Sequence, residues 1–392
     1  MRIGLSTSVI QRGRTGIAQY LFALVRAFMP HAREHEFTLF VLEEDLSLFA
    51  FAEGAMQIVP VSERFRPPVR NILWHQTELP KLARTHQMDV LHIPSYRRLV
   101  WQRPCALIAT IHDLAPFQIA NKYDWKRMFY GRVIARRLAR RQDHIIAISQ
   151  NTASDVKKWF ALPDDRISVI HNGVEHERFF PGDRESARAD AARTHGLRQP
   201  YFLYIARLEH PAKNHVRLIS AFNQFKSATG SNWQLVFGGS DWNGAETIHA
   251  AVRASPFAAQ IRMLGFVDAK DLPGLYRAAE VFVYPSLYEG FGMPPIEAMA
   301  CGCPVISSAR GSLAEVVGQA AAMINPEDID SITQQLAVLA GDAGLRERLR
   351  ALGLEQARRF NWQKTATATL EVYQRVVVGQ ATSRKLARLS LG

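Results

Sequence analysis

Short apolar runs bounded by turn residues recur along the chain, and segments with a helical spacing of apolar positions lie between them. The runs predict strands at Arg2–Ser6, Phe37–Leu42, Asp89–Ile93, Cys105–Ile111, Ile145–Ile148, Ile167–Ile170, Tyr201–Ile205, Gln234–Phe237, Ile261–Leu264, Val281–Tyr284 and Pro304–Ser307. The helical spacing predicts helices at Gly16–Phe28, Trp125–Arg141, Thr152–Phe160, Val216–Lys226, Asp271–Arg277, Pro294–Ala300 and Ser331–Ala340. Strands that alternate with helices in this order predict an α/β fold with parallel sheets covered on both faces.

A change of composition divides the chain into two parts. The segment Phe179–Gln199 is charged, has few large apolar residues and carries Pro181 and Gly182. Such a segment is typical of a domain boundary, and it predicts two α/β domains of similar size at residues 1–178 and 195–360. Ligands of open parallel sheets bind outside the carboxyl ends of the strands, so the site is expected in a cleft between the two domains.

Composition and charge narrow the class of protein. Of 392 residues, 47% are hydrophobic and 21% are charged, proportions that exclude a disordered or fibrous chain. The net charge of +12 favours an anionic partner, which is a phosphate group, nucleic acid or an anionic membrane surface. Three cysteines do not make a disulfide framework. The start MRIGLSTSVI is typical of a strand and not of a signal peptide. No apolar window is long enough to span a membrane. We therefore expect a cytoplasmic protein whose membrane contact is at most peripheral.

The most informative stretch reads YPSLYEGFGMPPIEAMACGCPVIS, from Tyr284 to Ser307. A strand ends at its start, a glycine-broken loop follows, and a proline occupies the first position of a helix. Gly290 and Gly292 allow a ligand to approach the backbone, and the amides of Phe291, Gly292 and Met293 at the helix start attract a phosphate. Glu289 and Glu297 bracket this loop; the alternative is that they are a charge pair favoured by the helix dipole.

This stretch resembles the donor-binding motif of family 4 of the retaining glycosyltransferases, in which two glutamates are separated by seven residues and followed by an ACGxPV turn. The resemblance implies a GT-B fold, in which two Rossmann-like doubly wound parallel-sheet domains face a central cleft and the last helix, here residues 361–380, crosses back to the first domain. It further implies that Glu289 hydrogen-bonds hydroxyls of the donor sugar, that the Phe291–Met293 amides contact the diphosphate, and that Glu297 binds the nucleotide ribose. In the LGFV segment, the backbone near Val267 is expected to pair with the nucleotide base.

A second segment, YIARLEHPAKNH, begins at the end of a predicted strand and carries Arg207 and Lys213. By resemblance these cations neutralise the diphosphate as it leaves, and fixed cations do so without a metal. The alternative is that both are ordinary surface cations. Asp328 and Asp330 form a DxD triplet, but they follow Pro326 at a helix start, where acidic caps are expected. We therefore predict no metal and no other cofactor.

The first domain contributes fewer candidates. His112 and Asp113 follow an apolar strand in the sequence IHDLAPF, and a lone histidine in such a place is more often structural than catalytic. By resemblance, His112 contacts the primary hydroxyl of the donor sugar or the acceptor, and Asp113 contacts the acceptor or orients a partner. Gly16, in the N-terminal loop, lies where the family approaches the diphosphate; the alternative is a simple helix start with a tight turn.

The segment from Lys126 to Arg141 has seven basic residues and no acid, and arginines share its predicted face with apolar residues. Such a face suits an anionic lipid surface or is simply solvated.

HDLAPF and RLEHPAKNH look most like bacterial mannosyltransferases of O-antigen or exopolysaccharide assembly. The prediction is therefore a metal-independent, retaining transfer of a hexose, favouring GDP-mannose, to a saccharide or lipid-linked saccharide. Another GDP- or UDP-sugar and a GT-B epimerase are the enzymatic alternatives; nucleic-acid binding is disfavoured because no nucleic-acid motif is present.

Overall fold

The structure, a computed structural model, describes residues 1–13, 15–118 and 129–389. The strands of the described chain are β1 Arg2–Ser6, β2 Glu36–Leu42, β3 Gln57–Val61, β4 Val90–Ile93, β5 Ala106–Ile111, β6 His144–Ala147, β7 Ile167–Val169, β8 Tyr201–Ile205, β9 Gln234–Gly238, β10 Ile261–Met263, β11 Val281–Tyr284, β12 Val305–Ser308 and β13 Ala321–Ile324. Every strand pair in both sheets is parallel.

The helices of the described chain are α1 Gly16–Phe28, α2 Pro68–Thr85, α3 Ala115–Gln118, α4 Arg136–Ala139, α5 Gln150–Phe160, α6 Arg184–His195, α7 His215–Thr229, α8 Ala245–Arg253, α9 Leu272–Ala278, α10 Met293–Ala300, α11 Leu313–Val317, α12 Ile329–Gly341, α13 Ala343–Arg358 and α14 Trp362–Leu389. A π-helical segment, Tyr130–Ala135, leads into α4. Short 3-10 segments lie at Met29–Arg33, Glu43–Ala52, Glu63–Phe65, Tyr96–Arg98, Asp164–Arg166 and Ala258–Gln260.

The first compact unit contains Met1–Gly173 and the chain from Trp362 onward. Its sheet has the order β3-β2-β1-β4-β5-β6-β7, so the winding direction reverses between β1 and β4. Helix α1 begins behind Thr15, whose hydroxyl accepts a hydrogen bond from the Ala18 amide at 3.2 Å, as an N-cap does. The buried face of α1 packs on the sheet and on α14, which places the last helix in this unit.

The second unit is Val174–Asn361, with the sheet order β10-β9-β8-β11-β12-β13. Here the winding reverses between β8 and β11. The β9 strand ends at two glycines, and Gly239 has a φ of 153°; a Cβ atom there would lie 1.9 Å from the Ala206 carbonyl oxygen. Only glycine lets the loop after β9 lie this close to the loop after β8.

The compact units divide the chain at slightly different residues from the predicted domains. Residues 174–178 belong to the second unit, because Val174 bridges to Asn361 and its amide donates to the Phe360 carbonyl. The charged segment after them is not a linker: it contains α6, which buries Ala187 and Ala191, and Arg184 donates to the Arg277 carbonyl at 3.1 Å. The apolar pattern does not reveal this helix, because its buried residues are alanines and Arg184 and Arg188 bind through their guanidinium groups.

The strands predicted from apolar runs are all present, with ends that shift by at most one residue. Two further strands, β3 and β13, escape the pattern. Both are edge strands. Few residues of β3 are buried, only half of the β13 residues are buried, and β13 contains two alanines. Proline at position 60 fits an edge strand, where a missing amide hydrogen is tolerated.

Candidate active site

The loops after β8 and β11 leave the second sheet at the point where its winding reverses. Asn214 ties the two loops together: its side-chain amide donates to the Pro285 carbonyl at 3.0 Å and to the Pro326 carbonyl at 2.6 Å. Ligands of open α/β sheets bind at such a point. The second unit therefore brings Lys213 and Glu289, predicted from separate motifs, to one place.

Lys213 and Glu289 form an ion pair with an Nζ–Oε1 distance of 2.5 Å, and their side chains are only 17% and 15% exposed. The Tyr284 hydroxyl donates to the same carboxylate oxygen at 3.0 Å. Burial acts against the charged ammonium, but the adjacent carboxylate outweighs it, and the pKa of Lys213 is raised. The site thus holds a cation that stays charged although little water reaches it. Sequence reasoning missed the pairing and missed Tyr284.

Hydrogen bonds from Ser312 hold the loop from Glu289 to Met293 in place. The Ser312 hydroxyl lies 2.9 Å from both the Glu289 and the Phe291 carbonyl oxygens, and its side chain is fully buried. Gly292 has a φ of 101°, and a Cβ atom there would lie 2.4 Å from a Leu313 methyl group. The glycine predicted to admit a ligand is therefore also required by the packing of the loop on α11. No sequence motif pointed to Ser312.

Glu297 lies in α10 and is held by a different tyrosine. The Tyr276 hydroxyl donates to Glu297 Oε2 at 3.1 Å. Burial raises the pKa of Glu297 to about 7, and the nearby Arg178 partly offsets this effect. Glu289 and Glu297 are thus not equivalent: Glu289 is compensated by an ammonium, whereas Glu297 titrates near neutral pH.

Arg207, the second predicted cation, has a more open environment than Lys213. Its side chain is 51% exposed, its Nη2 atom is 3.4 Å from Glu209 Oε2, and its guanidinium lies 4.7 Å from the centre of the Trp242 ring. Val267 is half-buried against Gly238, behind β9. The exposed arginine can rearrange around a ligand, while Lys213 is fixed.

The Asp328–Asp330 triplet caps a helix. The Asp328 carboxylate accepts a hydrogen bond from the Asp330 amide at 2.9 Å at the start of α12. Among the residues that the structure describes, no group of three or more His, Cys, Asp or Glu side chains is arranged to hold a metal ion.

In the first unit, His112 follows β5 and packs against Tyr20, with the ring centres 4.6 Å apart and the planes at 82°. Burial lowers the pKa of His112 to about 4, although Asp113 opposes the change. The imidazole is therefore neutral at pH 7. Asp113 caps α3, since its Oδ1 accepts from the Ala115 amide at 3.0 Å. The expected acceptor contact of Asp113 stays a prediction.

Gly16 is the first residue of α1 and is exposed, and a Cβ atom there would meet no atom within 4 Å. Nothing in the packing requires glycine at this position. Its proximity to a diphosphate stays a prediction.

Part of the predicted basic helix, including Lys126, lies outside the described residues. The described part exposes Phe129 and Ile134 together with arginines. Arg141 stacks on the exposed Trp101 ring with a separation of 4.2 Å. This surface combines cations with apolar side chains, as the sequence pattern indicated. Within the described chain, no helix is long and apolar enough to cross a membrane.

Comparison with known proteins decides the family. Residues 14–178 match the model described as Glycosyltransferase Family 4, and residues 186–356 match the model described as Glycosyl transferases group 1. The chain belongs to the glycosyltransferases. The two matches together cover both units, and they carry the motifs around His112, Lys213 and Glu289.

Individual relatives agree with this assignment. Over 392 residues the glycosyltransferase is 29% identical to the O-antigen chain mannosyltransferase B of Escherichia coli, with 95% of this chain and 100% of the relative aligned. It is 30% identical over 303 residues to the serotype-specific mannosyltransferase WbdA of Escherichia coli, covering 74% of this chain but 36% of that longer protein. HepE of Anabaena, solved with UDP and glucose, superposes with a TM-score of 0.77 at 17% identity over 96% of this chain and 100% of HepE. The fold is GT-B.

Proposed function

We propose that this glycosyltransferase transfers mannose from GDP-mannose to a saccharide or lipid-linked saccharide in the assembly of a bacterial surface polysaccharide, with retention at the anomeric carbon. The full-length similarity to an O-antigen chain mannosyltransferase supports the sugar and the acceptor class. The buried Lys213–Glu289 pair carries the proposal, because it sets a cation and a hydrogen-bonding carboxylate at the ligand position of the second sheet.

The donor's diphosphate gains negative charge as the bond to the sugar breaks. Lys213 and Arg207, together with the amides of Phe291–Met293, stabilise that charge, and a fixed cation in a poorly hydrated site does so more strongly than one in water. Glu289 accepts hydrogen bonds from hydroxyls of the transferred sugar. Binding of the donor thus replaces part of the Lys213–Glu289 attraction by contacts of each partner with the substrate.

Retention follows from attack on the face that the leaving group vacates. The bond between the anomeric carbon and the diphosphate oxygen breaks, the acceptor oxygen bonds to the same carbon on the same face, and the acceptor proton passes to the departing diphosphate. Glu289 is a weakened nucleophile for the alternative double displacement, because the Lys213 ammonium compensates the charge of its carboxylate and Tyr284 donates a hydrogen bond to it. Because protein cations supply the positive charge, we propose that the transfer needs no metal.

The remaining contacts complete the proposal. Glu297 binds the ribose, the backbone near Val267 pairs with the base, and Gly16 lets the N-terminal loop approach the diphosphate. His112 contacts a sugar hydroxyl, with Asp113 as an acceptor contact. The basic segment ending at Arg141 attaches the enzyme to anionic lipid on the cytoplasmic face of the membrane, where a lipid-linked acceptor is accessible.

The test is a donor screen with GDP-mannose, GDP-glucose, UDP-glucose and UDP-galactose, each with and without a mannose-containing acceptor. The quantity measured is the release of the nucleoside diphosphate. We expect acceptor-dependent release of GDP from GDP-mannose, an α-linked product from an α-linked donor, and full activity in EDTA. Inversion at the anomeric carbon, or loss of activity in EDTA, would contradict those parts of the proposal.

A UDP-sugar donor is the second candidate, because the structural neighbour HepE is solved with UDP and glucose. Acceptor-dependent release of UDP alone would establish it. An epimerase would instead convert the sugar nucleotide without any acceptor, and that result would overturn the transferase proposal.

A further inference from the structure

A chain of hydrogen bonds lies inside the first unit between its last helix and its first. The Tyr373 hydroxyl in α14 is 2.6 Å from His92 Nδ1, and His92 Nε2 is 2.8 Å from Thr110 Oγ1. Thr110 Oγ1 is in turn 3.1 Å from the hydroxyl of Tyr20 in α1. None of the four side chains is more than 4% exposed. Four separate elements, α14, β4, β5 and α1, are therefore linked by polar contacts where apolar packing would suffice.

The chain ends at the hydroxyl of Tyr20, whose ring touches His112. The Tyr20 ring centre is 4.6 Å from that of His112 and 5.7 Å from that of Trp362 in α14, and both contacts are T-shaped. Tyr20 is thus held by its hydroxyl and by two ring contacts. Edge-to-face contacts of this kind favour one ring orientation.

The surroundings of His112 indicate which of its nitrogens is available. The Pro94 backbone favours a proton on the ring, and because proline has no amide hydrogen, the group that attracts this proton is the carbonyl. His112 Nε2 is buried and has no hydrogen-bond partner among the described residues, so we assign the proton of the neutral ring to Nδ1. In the neutral ring, Nε2 therefore carries a lone pair and accepts a hydrogen bond.

We infer that Tyr20 is a positioning residue for His112, and that the buried chain through Thr110 and His92 to Tyr373 fixes Tyr20 in turn. This inference rests on the proposed function, in which His112 Nε2 accepts a hydrogen bond from a sugar hydroxyl. A buried acceptor without a partner is costly unless a ligand completes it, and the ligand gains most when the ring is already oriented. The last helix thereby acts on the reaction without touching the substrate.

A purely structural role for Tyr20 would not need its hydroxyl chain. Phe22, on the same helix, packs against Phe49 at 5.2 Å and contributes to the same core without any polar group. A buried phenol costs free energy unless it is hydrogen-bonded, so three linked polar partners under Tyr20 represent a requirement for orientation and not merely for volume.

The experiment compares Tyr20→Leu, Tyr20→Phe and Tyr373→Phe with Phe22→Leu as the matched control. We expect Tyr20→Leu to lower kcat about 10- to 100-fold, the range that a displacement near 1 Å produces, with little change in the KM for the donor. The two Phe variants keep the ring and should lose about threefold and twofold in kcat, since they loosen its orientation only. Phe22→Leu should leave kcat unchanged at a similar loss of thermal stability.

A second readout does not depend on catalysis. Two-bond proton–nitrogen correlation spectra of the full chain report the tautomer of His112, whose titratable neighbours are Asp113 and His92. We expect the Nδ1–H form in the wild type and in Phe22→Leu, and a mixture of tautomers in Tyr20→Leu. An unchanged His112 signal in Tyr20→Leu, or a loss of kcat equal to that of Phe22→Leu, would overturn the inference. An inactive wild type with the expected spectra would instead contradict the proposed function and leave the orientation of His112 established.

Discussion

The side chains at the carboxyl edges of the two sheets differ in charge: those of the second unit form an ion pair, and that of the first unit is neutral. In the second unit, Lys213 and Glu289 are buried as charges that compensate each other. In the first unit, His112 is partly buried and uncharged at pH 7, and it packs against the ring of Tyr20. A charged site suits a diphosphate, whose negative charge grows during the reaction, whereas a neutral acceptor suits a sugar hydroxyl. The difference therefore matches the division between an anionic donor and a neutral saccharide.

Removing the Lys213 cation should have the largest effect on activity. We expect Lys213→Ala to lower kcat about 10³-fold, close to the loss seen when one fixed charge-stabilising donor is deleted. The control is Arg253→Ala, which removes an exposed cation paired with Glu246 in the same unit and should leave kcat unchanged. Steady-state kinetics with GDP-mannose measure both. A Lys213→Ala variant within tenfold of wild type would show that the pair is structural.

Arg207→Ala should cost less than Lys213→Ala. Its guanidinium is half exposed and already shared with Glu209 and Trp242, so water replaces part of its effect. We expect a loss of about 10- to 100-fold in kcat/KM. Arg207→Lys separates charge from shape, because it keeps the cation but loses the planar group. Equal losses in Arg207→Ala and Lys213→Ala would mean that burial does not decide the strength of these cations.

The sequence indicated much of this site but not its balance of charges. Val-, Ile- and Leu-rich runs identify the buried strands, and the motifs around Lys213 and Glu289 place each residue at a strand end. That the two form an ion pair could not be predicted, because they lie 76 positions apart in the sequence and no local pattern couples them. The chain from Tyr20 to Tyr373 is harder still, since each member looks like an ordinary core residue in its own segment.

Glu297, the second glutamate of the donor motif, allows the charged site of the second unit to be tested by changing the pH. Burial raises the pKa of Glu297 to about 7. In the proposed donor complex, ribose hydroxyls would donate hydrogen bonds to the ionised carboxylate. Binding therefore favours the deprotonated form, so affinity rises as pH passes upward through 7 and levels off above it. For a group with this pKa, GDP should bind about tenfold more tightly at pH 8 than at pH 6.

Calorimetry with GDP at several pH values measures this dependence, and Glu297→Gln is the control. The amide keeps the shape of the side chain but does not titrate, so the affinity of this variant should be lower and should keep only the pH dependence that comes from the terminal phosphate of GDP, whose pKa is about 6. A wild-type affinity that is flat from pH 6 to pH 8, or one that rises as pH falls, would contradict a ribose contact through the carboxylate.

The smallest expected effect compares two exposed tryptophans that lie under arginines, one in each unit. Trp101 is 52% exposed and lies under Arg141, while Trp242 is 51% exposed and lies under Arg207. If the basic segment of the first unit contacts lipid, Trp101→Ser should weaken binding to vesicles of phosphatidylglycerol and phosphatidylcholine about fivefold, which corresponds to losing about 1 kcal/mol of apolar burial.

Trp242→Ser is the matched control, because it removes the same side chain at nearly the same exposure from the second unit. Sedimentation with vesicles should show no change for this variant, and neither protein should bind vesicles of phosphatidylcholine alone, since the cations supply about 1 kcal/mol each only at an anionic surface. Equal binding to neutral and anionic vesicles would exclude the electrostatic contact. Equal weakening by both substitutions would show that exposed tryptophan, and not the basic surface of the first unit, determines the affinity for lipid.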